Sequence, residues 1–179
     1  MLGVLAIIGV LSVAGISGYS KAMAKFKVTK TIDQVSMIVA NIRTIYAGQR
    51  NYKGLDTKTS IGIGAIPSEM LGGAADTITN AFNGLVDIKA VSSGGVADLA
   101  FYVNYKGLSQ DACATLATSD WGSGSQSGLL AMAIADAAAA VPTATNENSG
   151  VFIYSALPIT PVQAATKCAN GSSLTWYYF

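Results

Sequence analysis

The first nineteen positions of the chain, MLGVLAIIGVLSVAGISGY, are mostly apolar and carry no charge. As a helix this stretch is about 28 Å long at 1.5 Å per residue, close to the hydrocarbon thickness of a bilayer. The first charges are Lys21, Lys25, Lys27 and Lys30. From there the pattern changes. Val28, Ile32, Val35, Val39, Ile42 and Tyr46, with Ile38 and Ile45 beside them, recur in steps of three and four and define one stripe on an α-helix. Lys30, Thr31, Asp33, Asn41 and Arg43 occupy its other sides. A cleavable secretory signal would show a basic start and an A-x-A-like site, and neither is evident. A simple anchor fits the length but predicts a linker or an unrelated domain after it. The pattern favours a helix that continues unbroken. No Pro or Gly interrupts Lys21–Ala47, and Gly48, Asn51 and Gly54 supply the stop, which predicts one helix of roughly 50 residues. Its apolar half needs an environment outside the head: lipid in one state, a bundle of its own copies in another.

Beyond the helix the signals become short. Gly54–Gly84 reads as loop, with one short helix over Ile66–Leu71 started by Pro67. Leu85–Val91 and Leu99–Tyr105 read as strands joined by Ser92-Ser93-Gly94-Gly95, an antiparallel hairpin connection. Ser109 reads as the N-cap of a helix running to about Ala117. Gly122–Gly128 reads as a Gly/Ser loop. The Ala-rich stretch Leu129–Val141 is read as helix-permissive, closed by Pro142. Val151–Ser155 reads as a strand, and Thr160-Pro161 opens a helix to Cys168. Asn170-Gly171 reads as a turn, and Leu174–Phe179 as an aromatic final strand buried in a sheet. The expected fold is α+β, a long N-terminal helix packed on an antiparallel sheet with peripheral short helices.

Composition narrows the function classes. Hydrophobic residues make up 51% and charged residues 12%, against roughly 25% charged in ordinary soluble domains. The net charge of +1 gives no basic surface for a nucleic acid. The chain has no His, which removes the commonest general base and metal ligand together. Asp87 and Asp98 flank the hairpin without forming a catalytic pair. Gly122–Gly128 lacks the G-x-S-x-G register, and Gly62-Ile63-Gly64 lacks the third glycine of a dinucleotide turn. No catalytic residue, cofactor or metal site is expected. Cys113 and Cys168, 55 residues apart, match neither a CxxC site nor a lone catalytic thiol. In an exported chain they read as one disulfide. Asn170-Gly171-Ser172 is formally a glycosylation sequon.

Together these stretches resemble a family. MLGVLAIIGVLSVAGISGYSKA is similar to the signal and spine of type IV pilins just past the prepilin peptidase site. Tyr46 with Asn51-Tyr52-Lys53-Gly54-Leu55 resembles the end of the long helix in the type b class, the toxin-coregulated pilin family in particular. Asn80-Ala81-Phe82-Asn83-Gly84 resembles the motif entering that family's sheet. Gly107-Leu108-Ser109-Gln110-Asp111-Ala112-Cys113 resembles its first-cysteine helix, and Ile159–Cys168 the helix leading to its second cysteine. One departure stands out. The family carries a Gly before its cleavage site, an N-methylated first residue and a Glu at the fifth mature position, and none is present. Aligning the spine and Tyr46 suggests a start about five residues late, with that Glu just before Met1. Were Met1 the mature start, Leu5 would replace the Glu, as in a minor subunit or pseudopilin.

The resemblance implies a major structural subunit that polymerises into an extracellular filament. Residues 1–25 are expected to be the membrane and filament half, and 26–179 the head. Leu2, Val4, Leu5, Ile7, Ile8, Val10, Leu11, Val13 and Ile16 are the expected spine, with Gly9, Gly15 and Gly18 as its weak points. The implied partners are further copies of the chain, membrane lipid before assembly, the inner-membrane assembly machinery and a prepilin peptidase. A pseudopilin of a secretion machine, and more distantly a membrane-anchored binding protein, are the alternatives.

Overall fold

A computed structural model of the chain describes residues 2–122, 127–135, 152–154, 157–169 and 171–179, of which 2–15, 17 and 152–154 are described as backbone only. The opening helix α1 spans Leu2–Tyr46 as one continuous element. Its last third packs on the head. Val35, Ile38, Val39, Ile42 and Tyr46 are buried there, and Val28 and Ile32 are partly buried against the same core. Ile45, assigned to the flank of the stripe, is 43% exposed instead, whereas its neighbour in that assignment, Ile38, is fully buried.

The head's sheet has five strands, β1 (Val86–Ser93), β2 (Val96–Leu108), β3 (Leu129–Ala135), β4 (Phe152–Tyr154) and β5 (Ser172–Tyr178), in the order β1-β2-β5-β3-β4. Every pairing is antiparallel. The last strand of the chain therefore lies inside the sheet, between β2 and β3, and every residue of β5 is buried. One face of the sheet, carrying Phe101, Val103, Tyr105, Met132, Ile134, Leu174 and Trp176, closes on α1. The opposite face gathers Ala100, Tyr102, Ala131, Ala133 and Tyr177.

Three readings need correction. The Ala-rich stretch predicted as a helix over Leu129–Val141 is strand β3 as far as Ala135, and residues 136–141 lie outside the described part. Met132 and Ile134 face the core beneath α1 while Ala131 and Ala133 face away. Both faces are apolar, so the period of two is hidden and alanine's helix propensity misleads. The loop assigned to Gly54–Gly84 holds a helix, α2 (Thr57–Gly62), capped by Asp56, whose carboxylate accepts from the Thr59 N–H at 2.6 Å. The predicted Ile66–Leu71 helix reduces to a single 3-10 turn, Ser68–Met70, after Pro67.

The remaining elements follow their caps. Helix α3 (Gln110–Thr118) begins at Ser109, which accepts from the Ala112 N–H. Helix α4 (Pro161–Lys167) begins with a capping box in which Thr160 and Gln163 exchange side-chain and backbone hydrogen bonds. The hairpin between β1 and β2 turns on Gly94 and Gly95, both with positive φ. Of the predicted loop Gly122–Gly128, residues 123–126 lie outside the described part, as does Asn170 of the sequon and of the predicted turn.

Candidate functional site

Helix α1 presents two different surfaces along its length. From Val28 onward one side is sealed by the head. Before it, described apolar side chains are left uncovered: Ile16 and Tyr19 are each 68% exposed and Phe26 is 61% exposed. The backbone of the expected spine, Leu2, Val4, Leu5, Ile7, Ile8, Val10, Leu11 and Val13, and of Gly9, Gly15 and Gly18, lies in this helix, which is unbroken through them. Among the described residues no helix is long and apolar enough to cross a membrane.

Where α1 meets the head, two grooves flank it. On one side Phe26, Lys30, Asp33 and Met37 face Pro67 and Glu69 across a groove of about 580 Å³. Lys30 pairs with Glu69 at 3.4 Å, and the Gln34 amide donates to the same carboxylate at 2.9 Å. The Gln34 hydrogen bond, assisted by Lys30, holds the Glu69 carboxyl below its ordinary value. On the other side Lys21, Lys25 and Val28 face Asp111 and Thr115 of α3 across a groove of about 400 Å³ with apolar walls. The four lysines after the apolar run thus divide. Lys30 is paired, and Lys27 lies over the Phe82 ring at 5.6 Å. Lys21 and Lys25 have no ion-pair partner among the described residues.

The head is held on the helix by contacts that hydrophobic periodicity does not predict. Arg43 donates to the Phe179 main-chain oxygen from Nε (3.1 Å) and Nη2 (2.8 Å), and to the Ser127 carbonyl from Nη1 (2.7 Å). It also lies 5.3 Å from the centre of the Tyr178 ring. Gly128 passes so close beneath that a Cβ there would collide with the guanidinium. Only the polar side of an amphipathic helix hinted at Arg43. Its partners are more than eighty residues away in sequence.

The predicted cysteine pair is present. Cys113 on α3 and Cys168 at the end of α4 form a disulfide with Cα atoms 5.7 Å apart. Beyond it the Gly171 N–H donates to the Leu108 carbonyl at 2.9 Å, which leads β5 into place beside β2. Asp87 and Asp98 are not brought together. Asp87 lies opposite Asn104 and pairs with Lys106, whereas Asp98 sits near the hairpin turn with a φ of 55°. Gly62-Ile63-Gly64 ends α2, where the Ile63 N–H donates to the Thr59 carbonyl.

A family profile described as PilS N terminal matches residues 25–177. A major structural subunit of bundle-forming pilus from Escherichia coli O111:H- is 27% identical over 161 residues, spanning 87% of this chain and 77% of that protein. The subunit of the same description from Escherichia coli O127:H6 is 26% identical over 155 residues with the same coverage. The crystal structure of a type IV b pilin from Salmonella typhi aligns with a TM-score of 0.58 at 18% identity, over 84% of this chain and 97% of that one. TcpA, a type IV pilin from Vibrio cholerae El Tor biotype, aligns with a TM-score of 0.60 at 13% identity, over 86% and 99%. The fold is that of these pilins, and the chain belongs to the PilS family of type IV pilins.

Proposed function

We propose that this chain is the major structural subunit of a type IVb pilus, polymerising through the N-terminal half of α1 into an extracellular filament. The observation that carries this is the division of one continuous helix. Its end from Val28 to Tyr46 is packed in the head, while Ile16, Tyr19 and Phe26 stand exposed with no partner surface in one subunit. The relatives named as major structural subunits of bundle-forming pilus support the same role. In this reading residues 1–25 form the spine and 26–179 the head. Leu2, Val4, Leu5, Ile7, Ile8, Val10, Leu11, Val13 and Ile16 bury against neighbouring copies, with about 25 cal/mol gained per Å² of apolar area removed from water.

Before assembly the same residues sit in the inner membrane, where a prepilin peptidase processes the chain and the assembly machinery collects it. In the bilayer a helix must satisfy its own backbone. In the filament Gly9, Gly15 and Gly18, each about 1 kcal/mol weaker than alanine in a helix, are where the spine yields if it lengthens. The role is structural and calls on no catalytic residue. Electron microscopy of cells making the protein with its assembly machinery tests the proposal. Long surface fibres labelled by an antibody to the head are expected. A disulfide-bonded subunit in the membrane with no fibre would identify a pseudopilin or minor subunit instead.

A further inference from the structure

Helix α1 carries two unlike shoulders. On one, Lys21 and Lys25 stand exposed beside the apolar wall made with α3. On the other, Asp33 stands exposed between Phe26 and Met37, themselves 61% and 51% exposed. None of these three charges has an ion-pair partner among the described residues. The second shoulder has a further unmet group, since the Oε1 of Gln34, a residue only 4% exposed in that groove, accepts no hydrogen bond. One shoulder therefore has two cations beside a mainly apolar trough in which Asp111 is the one anion. The other has an anion and an acceptor between projecting apolar side chains.

We propose that these shoulders are the two halves of one contact between copies of this chain, in which Lys21 and Lys25 of one copy face Asp33 of the next. Met37 of the second copy then lies level with the trough beside Val28 of the first. This rests on the filament reading and deepens it by naming the side contact that sets the register of neighbouring helices. Because the two patches differ, the contact is heterologous, and repeating it gives an open helical array unless the rotation happens to close a ring. With parallel helices, matching Lys25 to Asp33 offsets neighbours by about 12 Å, and matching Lys21 to Asp33 by about 18 Å, at 1.5 Å per residue. An opposite-charge contact of this kind also disfavours the register one turn short of the Lys25–Asp33 match, in which Lys21 faces Lys25 of the next copy. Lys27 and Lys30 take no part, being engaged with Phe82 and Glu69 within their own subunit.

The test is charge reversal in the natural gene product, expressed with its assembly machinery. All the substituted side chains are exposed, and formation of the Cys113–Cys168 disulfide checks that each variant folds. K21E/K25E and D33K are each expected to lower sheared filament yield at least tenfold at unchanged subunit level. The combination K21E/K25E/D33K is expected to recover yield to within about threefold of the unmodified protein, as restored pairing of exchanged charges requires. A second readout uses K25C/D33C, which should give a reducible ladder of covalent oligomers in filaments. Filaments formed normally by the single-side reversals, or no recovery on combination, overturn the contact. Absence of filaments from the unmodified protein would overturn the filament reading itself, a distinguishable result.

Discussion

Asn80 shows how much a single side chain can hold. Its Oδ1 accepts from the N–H groups of Phe82 (2.8 Å) and Gly84 (3.0 Å), and its Nδ2 donates to the Lys106 carbonyl at 2.9 Å. The amide thus closes the turn over Asn80–Gly84 and fastens it to β2. Asn83 adopts a φ of 63°, and a Cβ on Gly84 would collide with the Lys106 carbonyl. Asn80→Ala leaves two donors and one acceptor unpaired at a nearly buried site and is expected to cost about 2–3 kcal/mol. Urea denaturation of the head measures it, and a loss under about 0.5 kcal/mol would show that solvent replaces the bracket. The Asn80–Gly84 string was visible in sequence as a motif. Its function was not, because its acceptor lies on another strand. The same applies to Arg43, whose position on the polar side of α1 was clear and whose partners were not.

Three aromatic residues on β2 and β5 make the head sensitive to alkali. Burial pushes the Tyr178 hydroxyl from its usual 10 up to about 12, with Arg43 pulling the other way. Burial raises Tyr105 and Tyr177 further still. Below pH 10 these rings are neutral in folded and unfolded chains alike, and their contribution is intact. Above it the unfolded chain loses protons that the folded head retains, so ionisation favours unfolding and stability falls as pH rises. The head is expected to unfold between pH 10 and 12, its circular dichroism falling as the phenolate absorbance of these rings appears. Phenolate absorbance complete at pH 10 with native dichroism would contradict this.

At the scale of elements, legibility depended on whether the two faces of a segment differ. Helix α1 was readable because its core-facing stripe is apolar and its other sides carry Asp33 and Arg43. Strand β3 was not, since alanines on one face and Met132 and Ile134 on the other leave no polar alternation. Strand β5 was readable from its aromatics, Trp176 and Tyr177 among them, but its place between β2 and β3 depends on long-range pairing. Helices α3 and α4 were readable from Ser109 and the Thr160-Pro161 start, and their cysteines from number and context. The disulfide ties these two short helices, neither of which is long enough to be stable alone. With the cysteines 55 positions apart in sequence, chain-entropy arguments assign it about 4 kcal/mol. The double variant C113S/C168S is therefore expected to lower the unfolding free energy of the head by about that amount, seen as a lower urea midpoint. Equal midpoints before and after reduction would mean that the helices are held by packing alone.

The whole molecule divides where the core begins rather than where the helix begins. Every buried residue that α1 gives to the core lies at Val35 or beyond, with Val28 and Ile32 partly buried before it. The exposed apolar side chains Ile16, Tyr19 and Phe26 lie on the other side of that boundary or at its edge. Two truncations of the same helix should therefore behave differently. Removing residues 1–25 takes no buried side chain from the described core. The remaining chain is expected to fold with the Cys113–Cys168 disulfide intact and to sediment as a monomer. Removing residues 1–40 also deletes Val35, Ile38 and Val39, which are 0%, 0% and 6% exposed. Large aliphatic side chains of this kind are each worth about 1.5–3 kcal/mol on burial. Together they are comparable with the smaller end of the 5–15 kcal/mol by which a typical domain is stable. The longer truncation is expected to lose cooperative unfolding, to expose the aromatic face of β5 and to aggregate without order. Sedimentation velocity and circular dichroism on the two chains, side by side, separate assembly from folding. A cut at 25 that still polymerises into regular fibres would move the main joint from the spine to the head. A cut at 25 that fails to fold would show that the first half of α1 supports the head as well as the filament.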